Sequence, residues 1–250
     1  MDGWTDTHCH LDAAALAGDG AGVIARARDA GVRRIIVPGI AGAVRNPGWP
    51  AEMVRIAWGV HPFHAAAATP ASIIAAWKCR GYEPVAVGEC GLDVHAEVAL
   101  DHQAAVFETQ AGIARSAGLP LLVHLRGAWQ RALEILRRHA EGVPWVMHAF
   151  SGPVEIAHPF LAEGAVISFA GSLCMPQARK TPAVARMVPD DRFVLETDSP
   201  DLKPFFFEAA CNEPAALPGI GRYLAGLRGV SAEQVRLQSA ATAVRIFGRG

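Results

Sequence analysis

The stretch WTDTHCHLD, residues 4–12, decides how the rest of the chain is read. A β-strand turns successive side chains to opposite faces, so Asp6, His8 and His10 line one face while Thr5, Thr7 and Cys9 line the other. Two imidazoles then point the same way. Neutral imidazole nitrogen is a common ligand for zinc, manganese, iron and nickel, so this face reads as half of a metal site. A pair of ordinary, partly buried histidines has the same spacing, and the short motif takes its meaning from what surrounds it.

Outward from this stretch, short β-branched or apolar runs alternate with segments of helical spacing. The strand runs are WTDTHCH, RRIIVPGI, RIAWGVHP, PVAVGECGLD, PLLVHL, PWVMHAF, AVISFAG and DRFVLETDSP. Between them lie helical patterns such as AGVIARARDAG, PASIIAAWKCRG, DHQAAVFETQAGIARSAG, GAWQRALEILRRHA and PVEIAHPFLAEG. Alternation of this kind predicts a parallel sheet with crossover helices. Eight strands without a Pro/Gly/Ser-rich linker or a break in composition predict a single-domain α/β fold, a closed (β/α)₈ TIM barrel over residues 1–250. The open dinucleotide-binding sheet is the rival, but no GxGxxG follows the first strand. The second βα unit, AGAVRNPGWPAEMV, is broken by Pro47, Gly48 and Pro50 and is expected to have a degenerate or missing helix. The tail SAEQVRLQSAATAVRIFG reads as a closing helix capped by Ser231, with Glu233 in its first turn.

Composition narrows the function. Half the chain, 51%, is hydrophobic, which suits a buried core and opposes disorder. The longest apolar candidates, such as IIVPGIAGAV, are interrupted by Pro and Gly, so no membrane span is expected. The start MDGWTDTHCH has neither the basic residues nor the apolar run of a signal peptide, and the expected compartment is the cytoplasm. Five cysteines without paired spacing fit a reducing compartment, and Cys9 and Cys90 read as small packing residues. A net charge of -1 gives no general attraction for a polyanion, so any positive field is local.

In such barrels the residues that carry chemistry sit at the C-terminal ends of the strands. His8 and His10 end the first strand, His61 the third, Glu89 the fourth, His124 the fifth, His148 the sixth and Asp198 the eighth. Each is an acid or imidazole in an otherwise apolar run. A buried Glu without a partner costs several kcal/mol, which favours a ligand role for Glu89 over a lone structural carboxylate. His124 and His148, on adjacent strands facing one mouth, are better explained by a shared ion than by two separate backbone contacts. Asp198 precedes a turn, where an Asx-turn or cap is the alternative to ligand or base. His61 is read as a substrate contact, His64 less so. His139 suits a helix C-terminus, and His95, His102 and His158 read as solvated or capping residues.

With those residues in place, the sequence resembles the TatD family of metal-dependent hydrolases, within the amidohydrolase-like barrels. The resemblance is carried by DTHCHLD, GVHPFHA, AVGECGLD, the Gln and Phe of HQAAVF, GLPLLVHLRGA, MHAFSG, ETDSPDLKP, NEPAALP and SAATAVRIFG, in family order over nearly the whole chain. It implies two divalent metal ions (Zn, Mn, Mg or Ni), with His8, His10 and Asp198 on one, His124 and His148 on the other, and Glu89 bridging. An anionic bridge offsets the repulsion between two nearby cations. The implied chemistry is phosphodiester hydrolysis, as in a deoxyribonuclease, with a metal-bound water as nucleophile and Asp198 as its base. The expected partner is DNA or a small phosphodiester, with no obligate protein partner.

One departure bears on substrate. After GLD many relatives carry aromatic and basic residues, whereas here the loop reads VHAEVALDHQ without Tyr, Trp or Arg, closer to an uncharacterised branch than to the best-studied nucleases. Arg126, Arg179, Lys180 and Lys203 remain as candidate phosphate contacts, with solvated surface charge as the alternative. Two further readings stay open: a metal-dependent hydrolase of a small amide, ester or lactone, and a metal-binding protein without turnover.

Overall fold

The computed structural model describes residues 3–248. Its frame is eight parallel strands: β1 (Trp4–Asp6), β2 (Val32–Val37), β3 (Val54–Ile56), β4 (Val87–Asp93), β5 (Leu121–Arg126), β6 (Trp145–Met147), β7 (Val166–Phe169) and β8 (Phe193–Leu195). Ladders join β1–β2–β3 and β4 through β8 in chain order. Two seams complete the circle. At one, Trp58 pairs with Val87, the Trp58 N–H donating to the Ala86 carbonyl at 3.1 Å and the Gly88 N–H to the Trp58 carbonyl at 2.7 Å. At the other, Cys9 pairs with Ser199, the Thr7 N–H donating to Leu195 at 3.1 Å and the Asp198 N–H to His8 at 2.9 Å. The chain therefore folds as the (β/α)₈ barrel that its alternating pattern predicts.

The crossovers are α1 (Gly20–Asp29), α2 (Pro70–Lys78), α3 (Leu100–Ala117), α4 (Trp129–His139), α5 (Val154–Ala162), α6 (Lys180–Met187) and α7 (Leu217–Arg228), followed by the closing α8 (Ala232–Phe247). Between β2 and β3 no helix forms; residues 38–53 hold only the two-residue strand Ala41–Gly42, which pairs with Gly59–Val60. Pro47, Gly48 and Pro50 break that unit as expected. The Ser231 hydroxyl caps α8 by accepting from the Gln234 N–H at 3.1 Å. Helices α6 and α7 were not singled out by periodicity, and α7 shows why: its glycines serve packing, a Cβ at Gly221 meeting the Trp4 ring at 2.3 Å. No helix among the described residues is long and apolar enough to cross a membrane.

Period-two alternation builds the interior in layers. Ile36, Ala57, Ala86, Leu122, Val146, Val166 and Val194 form one apolar cluster inside the barrel, closed from below by Ala243, Ile246 and Phe247 of α8. Their neighbours, among them Ile35, Val37, Leu121, Val123, Met147 and Leu195, belong to the larger cluster packed against the crossover helices. Two residues beyond an interior position, about 6.6 Å further along a strand, stand His124, His148, Ser168 and Glu196. The site is a polar layer resting on an apolar plug.

Gly91 marks a tight point of this frame. It pairs with His124, has φ of +144°, and a Cβ there would lie 1.9 Å from the His124 carbonyl oxygen. Gly91→Ala is expected to destabilise the protein by about 2–4 kcal/mol, combining backbone strain with the clash. Urea unfolding beside the parent protein checks this, and an unchanged midpoint contradicts it.

Candidate metal centre

Glu89 lies at the middle of the polar layer. It is third of the seven residues of β4, 3% exposed, so it projects from within the barrel wall rather than from the strand end. Its two oxygens face different imidazoles. Oε2 lies 3.1 Å from His8 Nε2 and 3.7 Å from His10 Nε2. Oε1 lies 2.9 Å from His124 Nδ1, 3.6 Å from His148 Nε2 and 3.5 Å from His61 Nε2. Asp198 Oδ1 closes the ring, 3.5 Å from both His10 Nε2 and His148 Nε2 and 3.8 Å from His8 Nε2. All six side chains that the sequence marked as ligands converge here. Asp198 has φ of +56°, a conformation Asp tolerates better than most residues. Asn212 Nδ2 holds the turn it starts by donating to the carbonyls of Thr197 and Asp201.

Two buried carboxylates that sequence reading missed orient the rings from outside. Asp93 Oδ2 lies 2.8 Å from His124 Nε2, and Glu196 Oε1 lies 3.0 Å from His148 Nδ1. Asp93 fixes the orientation of His124, which turns Nδ1 to the centre, while His148, beside Glu196, turns Nε2 there. The signal was in the alternation, since Asp93 shares a face with Glu89 and Glu196 with Asp198. Gln103 of α3 pins Asp93, accepting from its N–H at 2.8 Å and donating to its carbonyl at 3.0 Å. His61 differs from the other rings. Its Nδ1 accepts from the Phe63 N–H at 3.1 Å, so the proton of the neutral ring sits on Nε2, facing Glu89.

Asp6 is not part of this ring. Its carboxylate accepts from the Thr197 N–H at 2.9 Å, the Thr197 hydroxyl at 2.6 Å and the His8 N–H at 3.3 Å, which ties β1 to the end of β8. Burial lifts it to about 8 against those hydrogen bonds. Burial also raises Glu89, but the charges of His148 and His8 and the hydrogen bonds of His124 and His61 outweigh it and hold Glu89 well below the usual carboxylate range. For His148 burial opposes the charged form, yet Glu196, Asp198 and Glu89 lift it to about 10. His124 is raised against burial by Asp93 and Glu89, and His10 by Asp198. Burial lowers His8 and His61.

Above the ring an open cavity of about 380 Å³ is lined by the centre, by His61, Phe63 and His64, and by Asp12, Ala13, Ile40, Pro200 and Asp201. Arg126, Arg179, Lys180 and Lys203 are exposed and stand outside that lining. Lys203 Nζ donates to the Ala209 carbonyl at 2.8 Å. Cys9 and Cys90 are buried free thiols packed in the core.

A barrel with buried histidines and carboxylates at the C-terminal ends of its strands defines a class of metal-dependent hydrolases. The family described as TatD related DNase matches residues 5–248, and the chain belongs to it. It is 31% identical to the "uncharacterized metal-dependent hydrolase YabD" of Bacillus subtilis (strain 168), over 97% of this chain and 98% of that protein. It is 30% identical to the "3'-5' ssDNA/RNA exonuclease TatD" of Erwinia billingiae (strain Eb661), over 97% and 98%. The crystal structure of YJJV, a TatD homologue from Escherichia coli K12, superposes with a TM-score of 0.88 at 28% identity, covering 99% of this chain and 98% of that one.

The shifts set a pH slope for the metal-free chain. His148, raised from 6.5 to about 10, contributes stability that is full below 6.5 and lost as pH rises through about 10. Asp6, raised from 3.8 to about 8, favours the fold while protonated and loses that contribution as pH rises through about 8. Both run the same way. Urea midpoints of metal-free protein should fall from about pH 7 to about pH 9, and fall less in His148→Asn. A flat or rising midpoint contradicts the assignment.

Proposed function

We propose that residues 1–250 form one hydrolase barrel that cleaves phosphodiester bonds with two divalent ions, its substrate a single-stranded nucleic acid. One observation carries this reading: the buried Glu89 carboxylate offers each oxygen to a different group of imidazoles. Two ligands about 2.1 Å from one tetrahedral ion lie roughly 3.4 Å apart. The donor atoms here are spaced at 2.9–3.8 Å, and three-residue groups such as His8, His10 and Asp198 fit one ion. The donor set therefore suits the metals of this chemistry. His8, His10 and Asp198 would hold one ion and His124 and His148 the other, with Glu89 between them. Mixed imidazole and carboxylate donors suit Zn, Mn, Mg or Ni.

When bound, such ions make water a nucleophile near neutral pH and offset charge on the phosphoryl group. The protein's own groups do the rest. Asp198, on the cavity wall, takes the proton from the attacking water, and Glu89 keeps the two metal positions together. His61 donates its Nε2–H to a phosphoryl oxygen, because its Nδ1 is already engaged by the Phe63 N–H. Arg126, Lys180 and Lys203 are read as contacts to phosphates farther along the strand. The named activity of the Erwinia billingiae relative supports the substrate class.

A specific observation favours a second reading, hydrolysis of a small amide, ester or lactone: among the described residues no lysine or arginine lines the cavity, while Asp12 and Asp201 do. A screen of metal-reconstituted protein against single-stranded DNA, duplex DNA, simple phosphodiesters and carboxyl esters separates the two.

Stripping metal should abolish hydrolysis and divalent ions should restore it; activity that survives chelation removes the metal from the mechanism. Asp198→Asn keeps the shape and one ligating oxygen but loses the basicity. It should retain most bound metal and lose on the order of 10² to 10⁴ in kcat. His124→Ala or His148→Ala should instead empty one metal position. Metal content beside kcat decides: near-normal turnover in Asp198→Asn removes it as base, and loss of metal makes it a ligand first.

A further inference from the structure

Among the described residues, the large apolar side chains that stand exposed are Phe63, Ile74, Val94, Leu202, Phe205 and Leu237. Ile74 and Leu237 sit singly on helices α2 and α8. The other four follow the C-terminal ends of β3, β4 and β8 and so belong to the loops around the barrel mouth. Of these only Phe63 lines the cavity above the centre.

We propose that Phe63 is the platform on which a nucleobase of single-stranded substrate stacks, beside the bond that is cut. This rests on the phosphodiesterase reading and adds to it the residue that selects an unpaired strand. Three features support it. The ring is 55% exposed at the lip of the cavity, an apolar face left in water beside a polar centre. It is also fixed in place. Pro62–His64 form a single 3₁₀ turn in which the Phe63 N–H is bound to His61 Nδ1, and the Phe63 ring centroid lies 4.9 Å from that of His61 and 6.3 Å from that of His124. One turn thus sets both the His61 donor and the stacking face, within the reach of a single nucleotide. Finally, no lysine or arginine among the described residues lines the cavity and the chain carries a net charge of only -1, so general charge attraction for a nucleic-acid strand is weak there. Stacking then adds affinity beside the centre, where the cations read as contacts farther along the strand do not reach. Every base has a π-face, so the platform tolerates any sequence, but a paired base keeps its face inside the duplex.

The test compares wild type, Phe63→Ala, Phe63→Trp and Phe205→Ala, all reconstituted with the same metal. The substrates are a short single-stranded oligodeoxynucleotide and the same strand made abasic at the nucleotide next to the cleaved bond. Because the stack forms alike in ground and transition states, its loss raises KM and leaves kcat alone. Phe63→Ala should raise KM on the normal strand about 5- to 150-fold, the span of one base–aromatic stack. It should leave KM on the abasic strand unchanged, because the partner is already missing there. Phe63→Trp should restore binding. Phe205, 60% exposed but outside the cavity, serves as the control and its loss should change nothing. Cleavage indifferent to Phe63, an equal loss on the abasic strand, or an equal effect of Phe205→Ala overturns the stacking role alone. A wild-type protein that cleaves small phosphodiesters but no oligonucleotide overturns the nucleic-acid reading and this proposal with it.

Discussion

The structure turns on one buried negative charge. Glu89 sits at 3% exposure in the wall of the barrel, where an isolated carboxylate would cost several kcal/mol. Imidazoles that follow β1 and β6, one on β5 and one in the turn after β3 meet its oxygens, and their charges and hydrogen bonds hold it ionised despite its burial. Asp93, Glu196 and Asp198 in turn balance the imidazoles. In this cluster carboxylates and imidazoles face one another across short distances.

That array stands only because the barrel beneath it is filled. Seven residues on or beside the strands β2 to β8 form a plug that α8 seals from below, and for β5 to β8 a polar residue follows two positions later. Alternation raises them into a layer that excludes water from below and admits substrate only from the mouth. Side-chain amides of α3 finish the job at the rim: Gln103 satisfies the backbone of Asp93, and Gln110 satisfies both polar groups of Val60, beside His61. The missing helix of the second unit leaves the ring intact, since β2 supplies none of the imidazoles or carboxylates that meet there.

The mouth explains why general electrostatics say little about the substrate. Its lining is imidazole, carboxylate and apolar surface, without lysine or arginine among the described residues. On the phosphodiesterase reading, a bound metal would supply charge there, and shape and aromatic surface would add to it. Metal binding to histidines releases their protons, so metal loading and the charge of such a centre are linked.

By itself the sequence determined the strand and helix alternation, the broken second unit, the Ser231 cap and the identity of the residues that meet at the centre. These are local or periodic features: a histidine or acid at the end of an apolar run keeps its face whatever its neighbours do. Asp93 and Glu196 were legible in the same period-two pattern yet were passed over, because an acid that orients a ring looks no different in sequence from one that holds a metal. Helix α7 was hidden because its glycines suit the close approach of Trp4 and Phe206 rather than helix propensity. Only the tertiary structure decided which nitrogen each imidazole presents. The His61 tautomer follows from a backbone N–H two residues away, the orientation of His124 from a hydrogen bond to Asp93 on β4 and that of His148 from the Glu196 carboxylate next to β8, and contacts across a barrel are not written in any one strand.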